Sequence, residues 1–239
     1  MTSTWVKVTR YVEPVAKPRT PKGRARLAMQ RLAERYPGTA AELCALDFGD
    51  PFQLLAATIL SAQSTDARVN MVTPALFAAY PDAAALAAAD PEQVEEIIRS
   101  TGFFRAKAKS LIGMATAVSE RFGGQVPTAL DDLVKIPGVG RKTGNVVRSV
   151  AFGLPGLPVD THVLRVSERL ALTEELPEAA RGDAVKVEHV LNAFIPAAER
   201  GPFSLRVILH GRQTCLARRP RCDACPLSDF CPSVRLPAR

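Results

Sequence analysis

The feature of this chain that most constrains its fold is a succession of short helix-patterned segments, separated by Pro and Gly, with almost no strand pattern between them. Apolar residues recur at helical spacing from Gly23 to Arg35, and Tyr36-Pro37-Gly38 predicts the end of that helix. Further helices are predicted over residues 51–72, 81–90, 91–100 and 106–122. The sequence therefore predicts an all-α fold.

The positive charge of the chain is concentrated at its two ends. The 239 residues carry a formal net charge of +7. Residues 1–26 hold seven Lys or Arg against one Glu, and residues 205–239 hold seven Arg against two Asp. The segment between them is mildly acidic. This distribution favours an acidic partner, and residues 1–22 are expected to form a basic flexible arm.

Composition and hydropathy predict a globular protein of the cytoplasm. Hydrophobic residues make up 47% of the chain and charged residues 23%, which is ordinary globular usage. No apolar run reaches the roughly 18 residues that a transmembrane helix needs. The basic N-terminus lacks the apolar stretch of a signal peptide. We therefore expect a soluble protein that has no membrane partner.

Residues 128–151 have the pattern of a tight helical hairpin. Thr128 is predicted to cap a short first helix, and a second helix is predicted to begin at Arg141. Between them, Gly138-Val139-Gly140 allows a very tight turn, because glycine takes positive φ at no steric cost. Backbone N–H groups at such a turn and at the following helix N-terminus can hold a phosphate. Arg141 and Lys142 add positive charge beside them.

Four of the five cysteines are clustered near the C-terminal end of the sequence. Cys215, Cys222, Cys225 and Cys231 form the pattern C-x6-C-x2-C-x5-C. Four thiolates at this spacing can close around one centre, but the spacing alone does not separate Zn²⁺ from an iron–sulfur cluster. Cys44 lies apart from them among apolar residues and is expected to be a buried thiol with no chemical role.

The full sequence of the hairpin is a more specific family signal than its Gly-X-Gly turn alone. From Leu133 it reads Leu-Val-Lys-Ile-Pro-Gly-Val-Gly-Arg-Lys-Thr-Gly-Asn-Val-Val. Together with Leu60-Ser-Ala-Gln63, Val159-Asp-Thr-His162 and the four cysteines, it resembles the endonuclease III family of helix-hairpin-helix-GPD DNA glycosylases. The resemblance covers about residues 25–235. Within it, Gly144 stands where an alanine is expected, at a helix-stability cost of roughly 1 kcal/mol.

The resemblance implies a bifunctional DNA glycosylase and AP lyase of base excision repair. Its members release oxidised pyrimidines from duplex DNA and cut the strand by β-elimination through a lysine Schiff base. The expected partner is double-stranded DNA that contains damaged bases or abasic sites, and the expected oligomeric state is a monomer. The family's cofactor is a [4Fe-4S] cluster, held here by Cys215, Cys222, Cys225 and Cys231.

The resemblance also implies two helical domains that flank a DNA groove. A six-helix barrel would span residues 44–154 and contain the helix-hairpin-helix at 128–151. An iron–sulfur cluster domain would be discontinuous and combine residues 23–43 with residues 155–239.

The same resemblance implies that Lys142 is the nucleophile and Asp160 its catalytic partner. A lysine at a helix N-terminus beside Arg141 lies in positive potential that disfavours its ammonium form, and partial burial is expected to add to this effect. A neutral amine can attack a sugar C1′ and form a Schiff base. Asp160 can stabilise positive charge on the sugar and assist proton transfer. Its place before Thr161 is also typical of a helix N-cap, and the two roles are compatible.

Several further residues are expected to contact DNA. Gln63 resembles the residue that fills the gap left by a flipped nucleotide, and Phe103 stands where the family inserts an apolar wedge, although Phe104 is an alternative. His162 is expected either to line the base pocket or to make a purely structural bond. Contacts to the phosphates of the DNA backbone are expected from Gly138, Val139, Gly140 and Arg141 in the hairpin and from Arg218, Arg219 and Arg221 in the basic loop.

Two alternative functions are compatible with parts of this pattern. An adenine-mismatch glycosylase of the same superfamily shares the cysteine spacing and the Asp, but it normally lacks the Lys and has a further C-terminal domain. Here Lys142 is present and the sequence ends eight residues after Cys231, which favours the lyase. A non-catalytic DNA-binding module with a structural metal would need neither Lys142 nor Asp160.

Overall fold

The computed structural model describes residues 17–234, and within that range the chain is helical with no strand. The predicted all-α fold is confirmed. No helix within this range is long and apolar enough to cross a membrane. The α-helices are α1 (Pro21–Arg35), α2 (Ala40–Leu43), α3 (Pro51–Leu60), α4 (Asp66–Ala79), α5 (Ala83–Ala87), α6 (Pro91–Ile98), α7 (Phe104–Phe122), α8 (Leu130–Leu133), α9 (Arg141–Val150), α10 (Thr161–Arg169), α11 (Ala184–Phe194) and α12 (Arg200–Gln213).

Side-chain caps explain where most of these helices begin. The Oγ1 atom of Thr20 accepts a hydrogen bond from the N–H of Gly23 at 3.1 Å, so α1 begins at Pro21, two residues before its predicted start. Residues 21 and 22 are therefore helical and not part of a flexible arm. The prediction of an arm over residues 1–16 lies outside the described residues. Helix α6 begins directly after its N-cap Asp90, and α7 ends before Gly123, as the sequence predicts.

The predicted single helix over residues 51–72 is wrong, because the chain forms two helices, α3 and α4, separated by residues 61–65. Gln63 adopts a left-handed φ of 54° in this break, which an α-helix does not accommodate. Thr65 then caps α4 by accepting a hydrogen bond from the N–H of Arg68 at 3.2 Å. The break leaves Gln63 exposed between the two helices.

The helical hairpin forms as predicted, but its details differ. Ala129, not Thr128, is the N-cap of α8, and no side chain caps that helix. Only Gly138 uses a positive φ, at 77°, whereas Gly140 has a φ of −88°. A Cβ atom on Gly144 would lie 2.7 Å from Cδ1 of Leu130, so the glycine that departs from the family pattern lets α8 and α9 approach closely.

The long helix α12 lies at the centre of the C-terminal half and contacts α1, α2, α9 and α10. Arg206 on α12 is buried, and its guanidinium donates hydrogen bonds to the carbonyl oxygens of Tyr36 at 3.1 Å and Gly38 at 2.9 Å. The guanidinium of Arg31 on α1 donates to the carbonyl of Pro226 at 2.7 Å and pairs with Asp229. From these contacts we propose that residues 23–43 pack as one unit with the described part of residues 155–239.

Candidate active site

A pocket of about 290 Å³ opens between the α3–α4 break, the N-terminus of α9 and one face of α12. It brings together Gln63, Lys142 and Asp160, which lie far apart in the sequence. Each comes from the end of a helix or the start of the next one, where a side chain can point into a cleft without disturbing the core. Three residues from three separate sequence motifs therefore converge on one pocket.

Lys142 is the second residue of α9 and is exposed at the pocket. The partial burial expected for it is therefore not seen. The N-cap Gly140 has no side chain that could accept from the first N–H groups of α9. Within residues 17–234 the Lys142 ammonium takes part in no ion pair, whereas its neighbours Lys135 and Arg141 each do. Its amine is thus free to reach a bound molecule.

Asp160 is the N-cap of α10 and also lines the pocket. Its Oδ1 atom accepts hydrogen bonds from the backbone N–H groups of His162 at 2.8 Å and Val163 at 2.9 Å. The Oδ2 atom has no hydrogen-bond partner within the described part of the chain. The cap fixes the orientation of the carboxylate while one oxygen stays available to the pocket.

The side chain of Arg141, which is predicted to contact DNA, forms an ion pair within the protein. Its guanidinium donates to both carboxylate oxygens of Glu188 on α11, at 2.8 and 2.9 Å. Glu188 is only 4% exposed, and its hydrogen bond is the main cause that raises the pKa of Arg141 above its ordinary value. The pair fixes the first turn of α9 against α11 and neutralises positive charge that was expected beside Lys142.

The hairpin turn offers backbone donors, although not from every expected residue. Gly138 and Gly140 are exposed. Val139 is only 6% exposed, and its N–H donates to the carbonyl of Ile136 at 3.1 Å. Val139 therefore anchors the turn in the core, and the exposed donors are the N–H groups of the glycines and of the first turn of α9.

Gln63 and Phe103 are exposed, and both adopt left-handed backbone conformations. Phe103 has a φ of 49° and is 68% exposed at the N-terminus of α7. Phe104 is half-buried, and the guanidinium groups of Arg99 and Arg105 lie over its ring at 5.3 and 5.6 Å. The structure thus distinguishes the two phenylalanines, since Phe103 alone projects into solvent.

His162 is half-buried and is not among the residues that line the pocket. Its Nδ1 atom lies 3.0 Å from Nη2 of Arg165, and burial lowers its pKa while the Asp160 carboxylate opposes that shift. A Cβ atom on Gly211 would lie 2.9 Å from Cβ of His162, so the helix carrying Gly211 packs directly on it. These contacts match the structural alternative for His162.

Three pocket residues were missed or misjudged in the sequence. Arg212 and Asp66 form an ion pair at 2.7 Å that joins α12 to the start of α4 at the pocket. Cys44 is half-buried and lines the pocket, where burial raises the pKa of its thiol. Asp66 lies three residues after the Leu60–Gln63 motif, and this closeness to the motif could have indicated that it lines the pocket.

The cysteines at 215, 222, 225 and 231 are half-buried and line one small cavity. Nη1 of Arg169 donates to Sγ of Cys215 at 3.2 Å, and the N–H of Leu227 donates to Sγ of Cys225 at 3.4 Å. Burial raises the pKa of Cys225 to about 11. A cationic centre would offset that penalty on the thiolate form, so the donor set fits a group bound through thiolates.

No three His, Cys, Asp or Glu side chains among residues 17–234 are grouped closely enough to hold a single metal ion.

The loop between Cys215 and Cys222 carries three exposed arginines, which are Arg218, Arg219 and Arg221. None of them forms an ion pair with another described residue.

Comparison with known proteins identifies two matching families. Residues 56–188 match the family described as "HhH-GPD superfamily base excision DNA repair protein", and residues 215–231 match "Iron-sulfur binding domain of endonuclease III". Endonuclease III from Synechocystis sp. is 49% identical over 215 residues, which are 90% of this chain and 94% of that protein. Endonuclease III from Bacillus subtilis is 43% identical over 203 residues, which are 85% of this chain and 89% of that protein.

Solved structures that resemble this chain belong to the same family as its relatives in sequence. The fold matches "Structure of a non-covalent Endonuclease III-DNA Complex" with a TM-score of 0.80 and 40% identity, covering 89% of this chain and 95% of that chain. It matches "Structure of a Trapped Endonuclease III-DNA Covalent Intermediate: Estranged-Adenine Complex" with the same TM-score of 0.80 and 40% identity, covering 89% and 96% of the two chains.

Proposed function

Because the chain belongs to the endonuclease III family and is a DNA glycosylase with AP lyase activity in base excision repair, we propose that Lys142 is its nucleophile and Asp160 the assisting carboxylate. The observation that carries this assignment is the single pocket that holds both residues together with Gln63. The Lys142 amine is unpaired there, and the Asp160 carboxylate is oriented by its helix cap.

The first step releases the damaged base. The neutral amine of Lys142 attacks C1′, and a C–N bond forms as the bond between C1′ and the base breaks. The base leaves with that electron pair and takes up a proton. The free oxygen of Asp160 stabilises the positive charge that develops on the sugar and assists the accompanying proton transfers.

The second step cuts the strand. Opening of the sugar ring leaves an imine between Lys142 and C1′, and this imine acidifies the neighbouring C2′ proton. Loss of that proton forms a C2′–C3′ double bond while the C3′–O bond breaks, so the phosphate leaves with its electron pair. Water then hydrolyses the imine and returns the Lys142 amine.

The [4Fe-4S] cluster is the cofactor of the iron–sulfur domain that this chain carries. We propose that the four cysteines at 215, 222, 225 and 231 hold it, since they line one cavity and present four thiol donors. With the cluster bound, Cys215 and Cys222 would hold both ends of the loop of residues 216–221 and so keep its three exposed arginines in place on the surface.

The chain binds DNA, and we propose that it acts as a monomer on duplex DNA that contains an oxidised pyrimidine. A base inside a duplex must be flipped out before a pocket can take it. Gln63 and Phe103 are exposed and held in fixed backbone conformations, which suits them to occupy the space left in the two strands. The hairpin amides and the arginine loop would bind the phosphates on either side. The cytoplasm, where chromosomal DNA is accessible, is the proposed location.

The proposal is tested with single-lesion duplexes and the full chain. We expect base release followed by strand cutting on duplexes with an oxidised pyrimidine, and no cutting of the undamaged duplex. Borohydride should reduce the imine and leave the protein covalently bound to abasic-site DNA. Release of adenine from a mismatch without strand cutting would instead indicate the mismatch glycosylase. Tight DNA binding without any reaction would indicate a binding module.

The arginine loop gives a separate prediction for DNA affinity. Replacing Arg218, Arg219 and Arg221 by Ala should reduce the slope of log affinity against log salt by about 2.7, because each lost phosphate contact removes about 0.9. Binding assays over a salt series measure the slope, and iron content checks that the cluster stays bound. Arg121→Ala is the control, since this exposed arginine lies at the opposite end of α7 from Phe103. An unchanged slope in the triple variant contradicts the assignment of the loop.

A further inference from the structure

Lys107 is a buried lysine that the proposed reaction does not use. It lies in the first turn of α7 and is only 5% exposed. A lysine is almost never buried this far without a partner, because its ammonium loses the solvation of water. Burial accordingly lowers the pKa of Lys107. Its Nζ atom donates a hydrogen bond to the carbonyl oxygen of Thr101 at 2.8 Å.

That hydrogen bond holds one end of the loop that carries Phe103. Thr101 is 3% exposed, and its side-chain hydroxyl donates to the carbonyl of Ile98 at 2.8 Å. The other end of the loop is held by the backbone N–H of Lys107, which donates to the carbonyl of Phe103 at 3.1 Å. One residue therefore binds the loop on both sides of Gly102.

The loop needs such support because its conformation is unfavourable by itself. Gly102 has a φ of 71° and Phe103 a φ of 49°, and the left-handed region is unfavourable for a non-glycine residue. A Cβ atom on Gly102 would meet nothing within 4 Å, so packing does not hold the backbone at this point. The Phe103 side chain is 68% exposed and adds no anchorage of its own.

We propose that Lys107 is a positioning residue that holds loop 101–103 so that the exposed Phe103 ring enters the duplex where the damaged base is flipped out. The inference rests on the proposed function, because it takes Phe103 as the residue that enters the strand. The Lys107 ammonium is suited to this task, since a charge-assisted bond to a buried carbonyl is stronger than a neutral one. Without it, the Thr101 carbonyl would remain buried and unpaired.

The test compares two substrates that differ only in whether the lesion must be flipped from a paired duplex. One is a fully paired duplex with an oxidised pyrimidine, and the other carries the same lesion inside an unpaired bubble. Lys107→Met removes the ammonium and keeps an unbranched stem. We expect Lys107→Met and Phe103→Ala each to slow single-turnover base release from the paired duplex by about tenfold. On the bubble, both should react within about twofold of the unchanged chain.

Further variants separate positioning from general stability. Lys107→Gln keeps an N–H donor without the charge and is expected to retain part of the paired-duplex rate, so it carries the test if the Met variant does not fold. Hydrogen exchange of the amides at 100–104 should be faster in the Lys107 variants and unchanged in Lys186→Met, an exposed lysine on α11. A merely structural role would slow both substrates equally and would leave exchange at the loop no faster than elsewhere.

The outcomes distinguish the inference from the function on which it rests. Normal reaction of Phe103→Ala on the paired duplex would overturn the role of Phe103 itself. A paired-duplex defect in Phe103→Ala, with Lys107→Met and Lys107→Gln either normal on both substrates or equally slow on both, would overturn the role of Lys107 alone.

Discussion

Lys142→Ala is expected to abolish covalent trapping of the chain on abasic-site DNA in borohydride, because Lys142 is the only lysine among residues 17–234 that lines the pocket. Loss of a nucleophile typically lowers the rate by several orders of magnitude, so strand cutting should fall by roughly 10³-fold or more. Denaturing gel electrophoresis of the trapped complex measures the first effect, and single-turnover strand cutting measures the second. Binding to the same DNA should persist, since the phosphate contacts proposed for the hairpin come from backbone N–H groups.

Lys135→Ala is the matched control for this variant. Lys135 lies in the same hairpin and is exposed, but its ammonium pairs with Asp132 at 2.9 Å and does not line the pocket. Trapping by this control should equal that of the unchanged chain. If the Lys142 variant still became trapped at the normal rate, another amine would be the nucleophile and the assignment of Lys142 would be wrong.

Asp160→Asn is expected to separate the two roles of that carboxylate. Asparagine caps a helix as well as aspartate does, so the melting temperature should change little. The negative charge beside the sugar is lost, however, and with it the assistance to proton transfer, which typically contributes 10²–10⁴-fold. Single-turnover base release should therefore fall by roughly 10²-fold or more while thermal unfolding stays nearly unchanged.

Asp183→Asn is the control, because Asp183 caps α11 with the same geometry away from the pocket. Its Oδ1 atom accepts from the N–H groups of Val185 at 2.9 Å and Lys186 at 3.2 Å. This control should keep full activity. An equal loss of activity in both variants, or full activity in Asp160→Asn, would show that Asp160 acts only as a cap.

Local chemistry allowed much of the fold to be predicted from the sequence. Helix ends marked by Tyr36 and Gly123 and the start marked by Asp90 lie where the pattern placed them, because caps and glycines act within one turn. The α3–α4 break was missed, since Ser, Ala and Gln are tolerated inside helices. What ends α3 is the left-handed conformation of Gln63, which no local pattern signals.

In the candidate site, too, features set by local sequence could be predicted, and features set by residues distant in the sequence could not. Gln63, Lys142 and Asp160 were predicted through motifs and do meet in one pocket. The partner of Arg141 could not be predicted, because Glu188 lies 47 residues further along the chain. Lys107 likewise reads as an ordinary helical lysine, and only its three-dimensional surroundings show that it is buried.

The contacts between the first helix and the end of the chain have a consequence for biosynthesis. The hydrogen bond from Arg206 to Tyr36 spans 170 residues, and that from Arg31 to Pro226 spans 195. Contacts of such high sequence separation are slow to form, and a ribosome must synthesise the chain as far as Arg206 and Pro226 before α1 can make these two contacts. Until then the part of α1 that they cover remains exposed. The cysteine segment follows α1 by almost 180 residues and docks on that helix through Arg31, so this docking must wait until residues 215–231 have been synthesised.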